Sequence, residues 1–275
     1  MHGETIRVIS DLHYGDRVTR AGRLAQLRPL LAGVTHLVLN GDTLDTRPGP
    51  APAHTAACRA EVLAYFPGQV PQVTFLTGNH DADISPHHRL DLAGGRVFLT
   101  HGDIIFEDIV PWGRDAGLLG RRIRSELAAA RAEVRDNLDA RLGIWRRAAA
   151  SVPQGHQSER NGLRRNITYA ADTLWPPWRV LKILHAWRHE PIGVAALVRR
   201  YRPAARFAIT GHLHRPALWH DPQGLVMINT GSFGPPFGGQ AVDLTSGRLI
   251  VRRIVMRGDE FHPGRIVAEF PLAES

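Results

Sequence analysis

Leu37-Val38-Leu39-Asn40-Gly41-Asp42-Thr43-Leu44-Asp45 begins as an apolar run, turns at a glycine and then presents two carboxylates three residues apart. Such a run, closed by Asn-Gly, reads as a short buried strand ending in a turn. The same grammar recurs on both sides of it. Thr5 to Ser10 leads into Asp11-Leu12-His13, Val73 to Thr77 into Gly78-Asn79-His80-Asp81, Val97 to Thr100 into His101-Gly102-Asp103, and Phe207 to Thr210 into Gly211-His212-Leu213-His214. Any one of these is weak evidence, because Asp-x-His and His-x-His arise by chance in a chain with fifteen histidines. Five of them in series, each after an apolar run, offer enough carboxylate, imidazole and amide groups to hold two metal ions.

The runs also set the fold class. With Val226 to Asn229 they make six short strands, and helical patterns over Ala21 to Leu31 and Thr55 to Phe66 supply the crossovers that parallel strands need. Ligands of open α/β sheets bind on loops outside the carboxyl ends of strands, where all five segments fall. Ala241 to Leu244 and Leu249 to Val255 flank Thr245-Ser246-Gly247-Arg248 and read as a β-hairpin. Asn229-Thr230-Gly231-Ser232 is expected to cap a strand beside the site, and Phe233 to Gly239 to form an aromatic, glycine-rich wall.

This set of motifs resembles the calcineurin-like metallophosphoesterase superfamily, whose signature runs Asp-x-His, Gly-Asp-x-x-Asp, Gly-Asn-His-Asp/Glu, an isolated His, then Gly-His-x-His. All five elements occur in that order and bracket about three quarters of the chain. The resemblance implies an α/β two-sheet sandwich flanked by helices and a hydrolase with two divalent metal ions, Mn favoured over Fe or Zn. By match to the motif, Asp42 bridges the ions. Asp11, His13 and His214 complete the first position, and Asn79, His101 and His212 the second. His80 would donate a proton to the leaving group and Asp45 would pair with it, while a hydroxide bridging the ions attacks phosphorus. Asp81 and Asp103 could orient ligands or merely shape their loops. Asp16, His87, His88, His185 and His189 match no motif position and are taken as surface or core.

Between His101 and His212 lie about 110 residues that the minimal signature does not require. Leu119 to Ala150 carries apolar residues at Ile123, Leu127, Ala130 and Val134, the spacing of an amphipathic helix. Ser151 to Asn161 reads as a loop and Leu163 to Leu174 as a second helix. Trp175-Pro176-Pro177-Trp178 breaks the pattern, which resumes over Val180 to Trp187 and Ile192 to Tyr201. The division is therefore a catalytic core of residues 1–107 and 202–275 with a helical cap at 108–201.

The 275 residues carry a formal charge of +8, and it is uneven. Arg121 to Arg202 holds seventeen basic and seven acidic residues, whereas the remainder is nearly neutral. Such a segment suits an anionic partner, with a solvated helical surface as the plainer alternative. Cys58 is the only cysteine, which excludes an intramolecular disulfide and fits a small buried hydrophobe. Met1-His2-Gly3-Glu4 leads into the first strand with no targeting pattern, and no run approaches the roughly 18 apolar residues of a spanning helix. A cytoplasmic protein is expected, with any membrane contact peripheral and made through the basic insertion.

Within the superfamily, the helical insertion, Asp11-Leu12-His13-Tyr14-Gly15-Asp16 and Gly211-His212-Leu213-His214-Arg215-Pro216 are similar to the bacterial UDP-2,3-diacylglucosamine pyrophosphatases, whose insertion receives acyl chains. One departure matters. Those enzymes carry Arg where this chain has His80, which favours phosphoester hydrolysis over cleavage of that nucleotide-lipid diphosphate. A lipid-linked or nucleotide-linked phosphate is the expected substrate. A nucleotide or nucleic-acid phosphodiesterase is the alternative, its basic segment binding phosphates and its tryptophans stacking bases. A non-catalytic membrane- or partner-binding scaffold is a third reading. Protein phosphatases carry Arg-Gly after the second acid, and this chain does not.

Overall fold

The computed structural model describes residues 4–17, 19–154 and 175–272. Two sheets face each other. In the first, β1 (Thr5–Ile9), β2 (His36–Asn40) and β3 (Gln72–Leu76) run parallel, and β9 (Gln240–Thr245), β10 (Arg248–Arg257) and β11 (Glu260–Pro271) extend it in antiparallel fashion, giving the order β11-β10-β9-β1-β2-β3. The second has the order β4-β5-β6-β8-β7. Its centre is parallel, from β5 (Val97–Thr100), β6 (Phe207–Thr210) and β8 (Val226–Asn229), and its edges are the antiparallel β4 (Arg89–Leu92) and β7 (Ala217–His220).

Alternate residues of a strand point to opposite faces, and the apolar runs are buried on both. Val8, Val38, Leu99, Phe207, Ile209 and Ile228 meet between the sheets. Their neighbours Ile9, Leu37 and Leu39 face outward to Leu30 of α1 (Arg28–Leu31) and Val62 of α2 (Pro52–Tyr65). On the far side, Phe98, Ala208 and Met227 pack against a second helical layer through Ile123, Leu142, Trp145, Val194 and Val198. That layer comprises α3 (Ala116–Ala129), α4 (Ala132–Asp136), α5 (Leu138–Ala150) and α6 (Trp178–Tyr201). The result is a helix-sheet-sheet-helix sandwich. Each fully buried Leu in it, such as Leu142, contributes about 1.5–3 kcal/mol.

Some elements differ from the sequence reading. The single helical pattern over Leu119 to Ala150 is broken at Ala130 and Arg131 and again at Asn137, all with extended backbone, and the Asn137 side chain starts α5 by accepting from the Ala140 amide at 3.0 Å. Ile123, Leu127 and Val134 nonetheless reach the same core, which explains the helical spacing. Val180 to Trp187 and Ile192 to Tyr201 are one helix, α6, running through Pro191. The strands β4, β7 and β11 carry no strong apolar run. The loop expected over Ser151 to Asn161 is described only to residue 154, and the remainder of it and the helix expected over Leu163 to Leu174 lie outside the described residues. Ser246 and Gly247, both at positive φ, close the expected hairpin between β9 and β10. Cys58 is buried in the first helical layer's core. No described helix is long and apolar enough to cross a membrane.

Candidate metal centre

Each parallel strand that carries a motif ends where its chain must turn sharply, and the backbone records it. Of eight described non-glycine residues with positive φ, five are Asp11, His13, Asp42, His212 and His214. Such conformations cost about 1–3 kcal/mol each and persist only where surrounding contacts over-determine them. Here they do. The Asp11 amide donates to Gly41 O at 3.1 Å, His13 to Asp42 O at 3.0 Å and Tyr14 to Thr43 O at 2.8 Å, zipping the first two loops together. The His80 amide donates to Asp42 Oδ1 at 2.8 Å and the His212 amide to both Asp11 oxygens at 3.1 Å, which ties in the third and fifth loops. Gly78 and Gly211 are required by this packing, since a Cβ at either would collide with the carboxylate of Asp42 or Asp11.

Four of the five loops gather two groups of donors. Asp11, His13, Asp42 and His214 form one, and Asp42, His101 and His212 the other, each with ligand atoms within 4.8 Å of one another. In the first, His13 Nε2 is 2.9 Å from His214 Nε2, and His214 Nε2 is 3.2 Å from Asp11 Oδ1. Asp42 belongs to both, its Oδ2 lying 3.8 Å from His13 Nε2 and 3.2 Å from His101 Nε2. Because Oδ1 is taken by the His80 amide, Oδ2 is the oxygen left to face both groups. Backbone carbonyls behind the histidines select which imidazole nitrogen faces the centre. His101 Nδ1 donates to Asn40 O at 3.1 Å, which frees Nε2, and His212 Nε2 donates to Ile109 O at 2.8 Å, which frees Nδ1.

Divalent cations fit this donor set. Asn79 Oδ1 is buried without a hydrogen-bond partner among the described residues, an arrangement that costs free energy unless a cation takes its lone pairs. Charge is arranged accordingly. Burial alone would raise Asp11 and Asp42, but His101, with His214 for Asp11 and His80 for Asp42, holds both below the ordinary carboxylate value. Burial and His214 push His13 down to about 4, and burial and His101 push His212 down to about 4, so both imidazoles are neutral at pH 7. For His101 burial is outweighed by Asp42 and Asp11, which raise it to about 10. Asp81 accepts the amides of Asp42, Thr43 and Gly78 at 3.0, 2.7 and 2.6 Å, while burial and the Asp42 charge raise it to about 6.

His80 lies beside the donors rather than among them. Its Nδ1 donates to Asp45 Oδ2 at 2.9 Å, the pairing expected from the motif, and its Nε2 is 4.0 Å from Asp42 Oδ2. Burial and Arg47 work against its charged form, but Asp42 and Asp45 raise its pKa overall. Its side chain is 25% exposed, enough to be reached from solvent. Asp45, which burial would raise, is held well below the carboxylate range by His80 and Arg47.

Four residues that sequence reading did not single out complete the surroundings. Arg47 clamps Asp45 with Nε to Oδ1 at 3.0 Å and Nη2 to Oδ2 at 2.7 Å. Ile109 supplies the carbonyl on His212. Arg146 of α5 donates to Asp103 at 2.5 Å with both side chains buried. Glu190 of α6, which burial pushes up to about 8, accepts from Thr210 Oγ1 at 3.1 Å and Asn229 Nδ2 at 2.5 Å. Of the four, only Arg47 left a sequence signal, standing two residues after the second acid of the motif.

Aromatic side chains edge the centre. Phe106 and Trp112 lie 6.0 and 6.3 Å from the His212 ring between centroids. The Trp187 indole donates to Leu213 O at 3.4 Å, Arg215 stacks 5.0 Å above its ring, and the half-exposed Phe237 meets its edge at 5.4 Å. Phe237 thus supplies the expected aromatic wall, while Phe233 is buried in the core.

A family model for calcineurin-like phosphoesterases matches residues 4–216. Comparison with curated proteins gives no match. Among solved structures, the chain is similar to a Vps29 double mutant from Entamoeba histolytica at 13% identity and TM-score 0.49, covering 97% of this chain and 99% of that one. It is similar to Vps29 from Cryptosporidium parvum at 12% identity and TM-score 0.45, covering 98% of each. A dimetal phosphatase from Danio rerio is similar at 14% identity and TM-score 0.44, covering 99% of each.

Proposed function

The chain belongs to the calcineurin-like phosphoesterase family, and from that premise we propose that it is a dinuclear metal-dependent phosphoester hydrolase whose substrate carries its phosphate next to an apolar group. The observation that carries this reading is the sharing of Asp42 between two donor groups, with His80 beside them. Asp11, His13, Asp42 and His214 would hold one divalent ion, and Asp42, Asn79, His101 and His212 the other, with manganese the favoured metal. When bound, such a pair neutralises phosphoryl oxygens and acidifies a water to serve as nucleophile.

The chain's own residues supply the rest. Asp45 orients the His80 ring through Nδ1 and leaves Nε2 toward the centre, and Arg47 fixes Asp45. With its pKa raised, His80 carries a proton that Nε2 can pass to the departing oxygen. The Asp11, Asp42 and Asp45 carboxylates stay ionised throughout.

Aromatic and apolar side chains support the apolar group. Phe106, Trp112 and Trp187 flank the His212-Leu213-His214 loop, and Trp178 and Leu181 of α6 are exposed beside Arg179 and Lys182. That combination suits a lipid-linked phosphate met at an anionic membrane face, as in the diacylglucosamine pyrophosphatase branch. Acylated substrates should then be hydrolysed at least tenfold faster than their headgroups, about 1.4 kcal/mol in transition-state binding. A nucleotide substrate is the second reading, favoured by Arg215 stacked on Trp187, which could continue onto a base. Affinity for single-stranded DNA that falls steeply with salt would support it.

The test is hydrolysis of p-nitrophenyl phosphate and bis-p-nitrophenyl phosphate by metal-stripped protein refilled with Mn, beside Asp42→Asn. Activity that vanishes in the variant supports the hydrolase, and the preferred ester separates monoesterase from diesterase. Two bound metals without hydrolysis of these esters or of acylated phosphates would instead favour a non-catalytic scaffold.

A further inference from the structure

The two donor groups are supported differently, and the difference lies in residues from the helical segment. His212 presents Nδ1 because its Nε2 donates to Ile109 O at 2.8 Å. Ile109 is at φ 57°, a left-handed conformation that a β-branched residue adopts only under constraint. Its amide donates to Phe106 O at 3.1 Å, and Trp145 of α5 donates to the same oxygen at 2.9 Å, so the turn carrying Ile109 is anchored to the helix.

Glu190 of α6 reaches the base of the same loop. Its Oε1 accepts from Thr210 and from Asn229, and the Asn229 amide nitrogen also donates to Gly211 O at 2.6 Å. Thr210 and Gly211 are the two residues before His212, so one 2% exposed carboxyl group ties together the ends of β6 and β8 there. On the other side of the pair, Arg146 of α5 donates to Asp103, two residues after His101. Three contacts from one segment converge on the loops of the two histidines of one metal position.

We propose that Ile109, Arg146 and Glu190 are positioning residues for the second metal ion, acting through His212 and His101, so that these three contacts, rather than the packing of the helical layer as such, make a two-metal centre out of a one-metal centre. This rests on the dinuclear reading above. The core alone orients Asp11 and His13, through the amide ladder to Gly41 and Asp42 and the Ser10 hydroxyl on Asp11. Gln at 190 keeps an oxygen acceptor for Thr210 and Asn229, whereas Ala removes the acceptor of the buried Thr210 hydroxyl and leaves Asn229 Nδ2 with Gly211 O alone.

The experiment is manganese titration of stripped full-length protein, read by calorimetry and by electron paramagnetic resonance, in which a spin-coupled pair and an isolated six-line ion are distinct. Wild type and Glu190→Gln should bind two equivalents and give the coupled signal. Glu190→Ala and Arg146→Met should hold the first equivalent within about twofold, bind the second at least tenfold more weakly, and keep the six-line signal at two equivalents. Leu142→Ala, which loosens the same helical layer without touching either loop, should lower the melting temperature and leave both affinities in place. Unchanged affinities in Glu190→Ala and Arg146→Met would overturn the proposal, as would parallel loss of both equivalents, or selective loss of the second in Leu142→Ala. A wild type that binds no pair of ions would instead remove the dinuclear reading on which it rests.

Discussion

The two halves of the centre are chemically alike but built differently. Asp11 and His13 leave the end of β1 in a loop laddered onto the β2 loop, so their orientation is fixed by backbone hydrogen bonds between loop ends, the His212 amide on Asp11 included. His101 and His212 leave the second sheet, and the contacts that orient them come partly from α5 and α6, through Arg146 and Glu190, and from the carbonyl of Ile109. The lesson is that a ligand motif fixes which atoms can bind, whereas the tautomer and aim of each imidazole belong to whatever packs behind it.

The comparison breaks most completely at Asp42, the one residue common to both halves. Asp42→Asn should bring hydrolysis below detection and lower the bound metal measured by elemental analysis. His80→Ala leaves both donor groups intact and removes only the proton donor. It should lower kcat roughly 10²–10⁴-fold on alkyl phosphates, and far less on p-nitrophenyl phosphate, whose leaving group needs no proton. Equal losses on the two substrates would remove His80 from that role. Arg47→Ala acts one step further out and should cost about 1.5–3 kcal/mol of transition-state stabilisation. Added to His80→Ala it should cost almost nothing more, because it works through Asp45 and His80.

Protons sharpen the contrast further. His101 holds its proton up to about pH 10 in the metal-free protein, whereas His13 and His212 are already neutral above about pH 4. A metal entering the second position must therefore expel a proton from His101. Its apparent affinity should rise with pH up to about 10 and level off above it, and the first position should vary less, as calorimetry in buffers of different ionisation enthalpy would measure. The stability of the metal-free fold carries the opposite sign. A raised imidazole pKa contributes stability that is present below about 6.5 and lost as pH rises through about 10, so the melting temperature of stripped protein should fall across that window. The smallest effect on the site is expected from Leu142→Ala, which should cost about 2–5 kcal/mol of folding stability by denaturant titration and leave kcat per dinuclear site unchanged.

What could be read in the sequence follows from the same distinction. The loops after β1, β2, β3, β5 and β6 were legible because each combines an apolar strand, a tight turn and polar ligand atoms within a few residues. The strands β4, β7 and β11 were not, since Arg89-Leu90-Asp91-Leu92 and its counterparts are half-exposed edges without a continuous apolar run. The helical pattern reads as two stretches, Val180 to Trp187 and Ile192 to Tyr201, yet a single helix, α6, continues through Pro191 between them, packed by Ala186, Val194 and Val198 on one side. Arg146 and Glu190 looked like two charges in a basic, helical segment, and only the packing of α5 and α6 against the second sheet turns them inward. Pairing of Asp45 with His80 was foreseeable from the motif, whereas the Arg47 clamp on that pair was marked only by its place two residues after Asp45.

The most direct test is to follow phosphoester hydrolysis while adding Mn stepwise to stripped protein. A rate that stays near zero through the first equivalent and rises with the second, absent throughout in Asp42→Asn, is the result predicted for a two-metal hydrolase. Full activity at one equivalent, or none at two with either phosphoester, would contradict it.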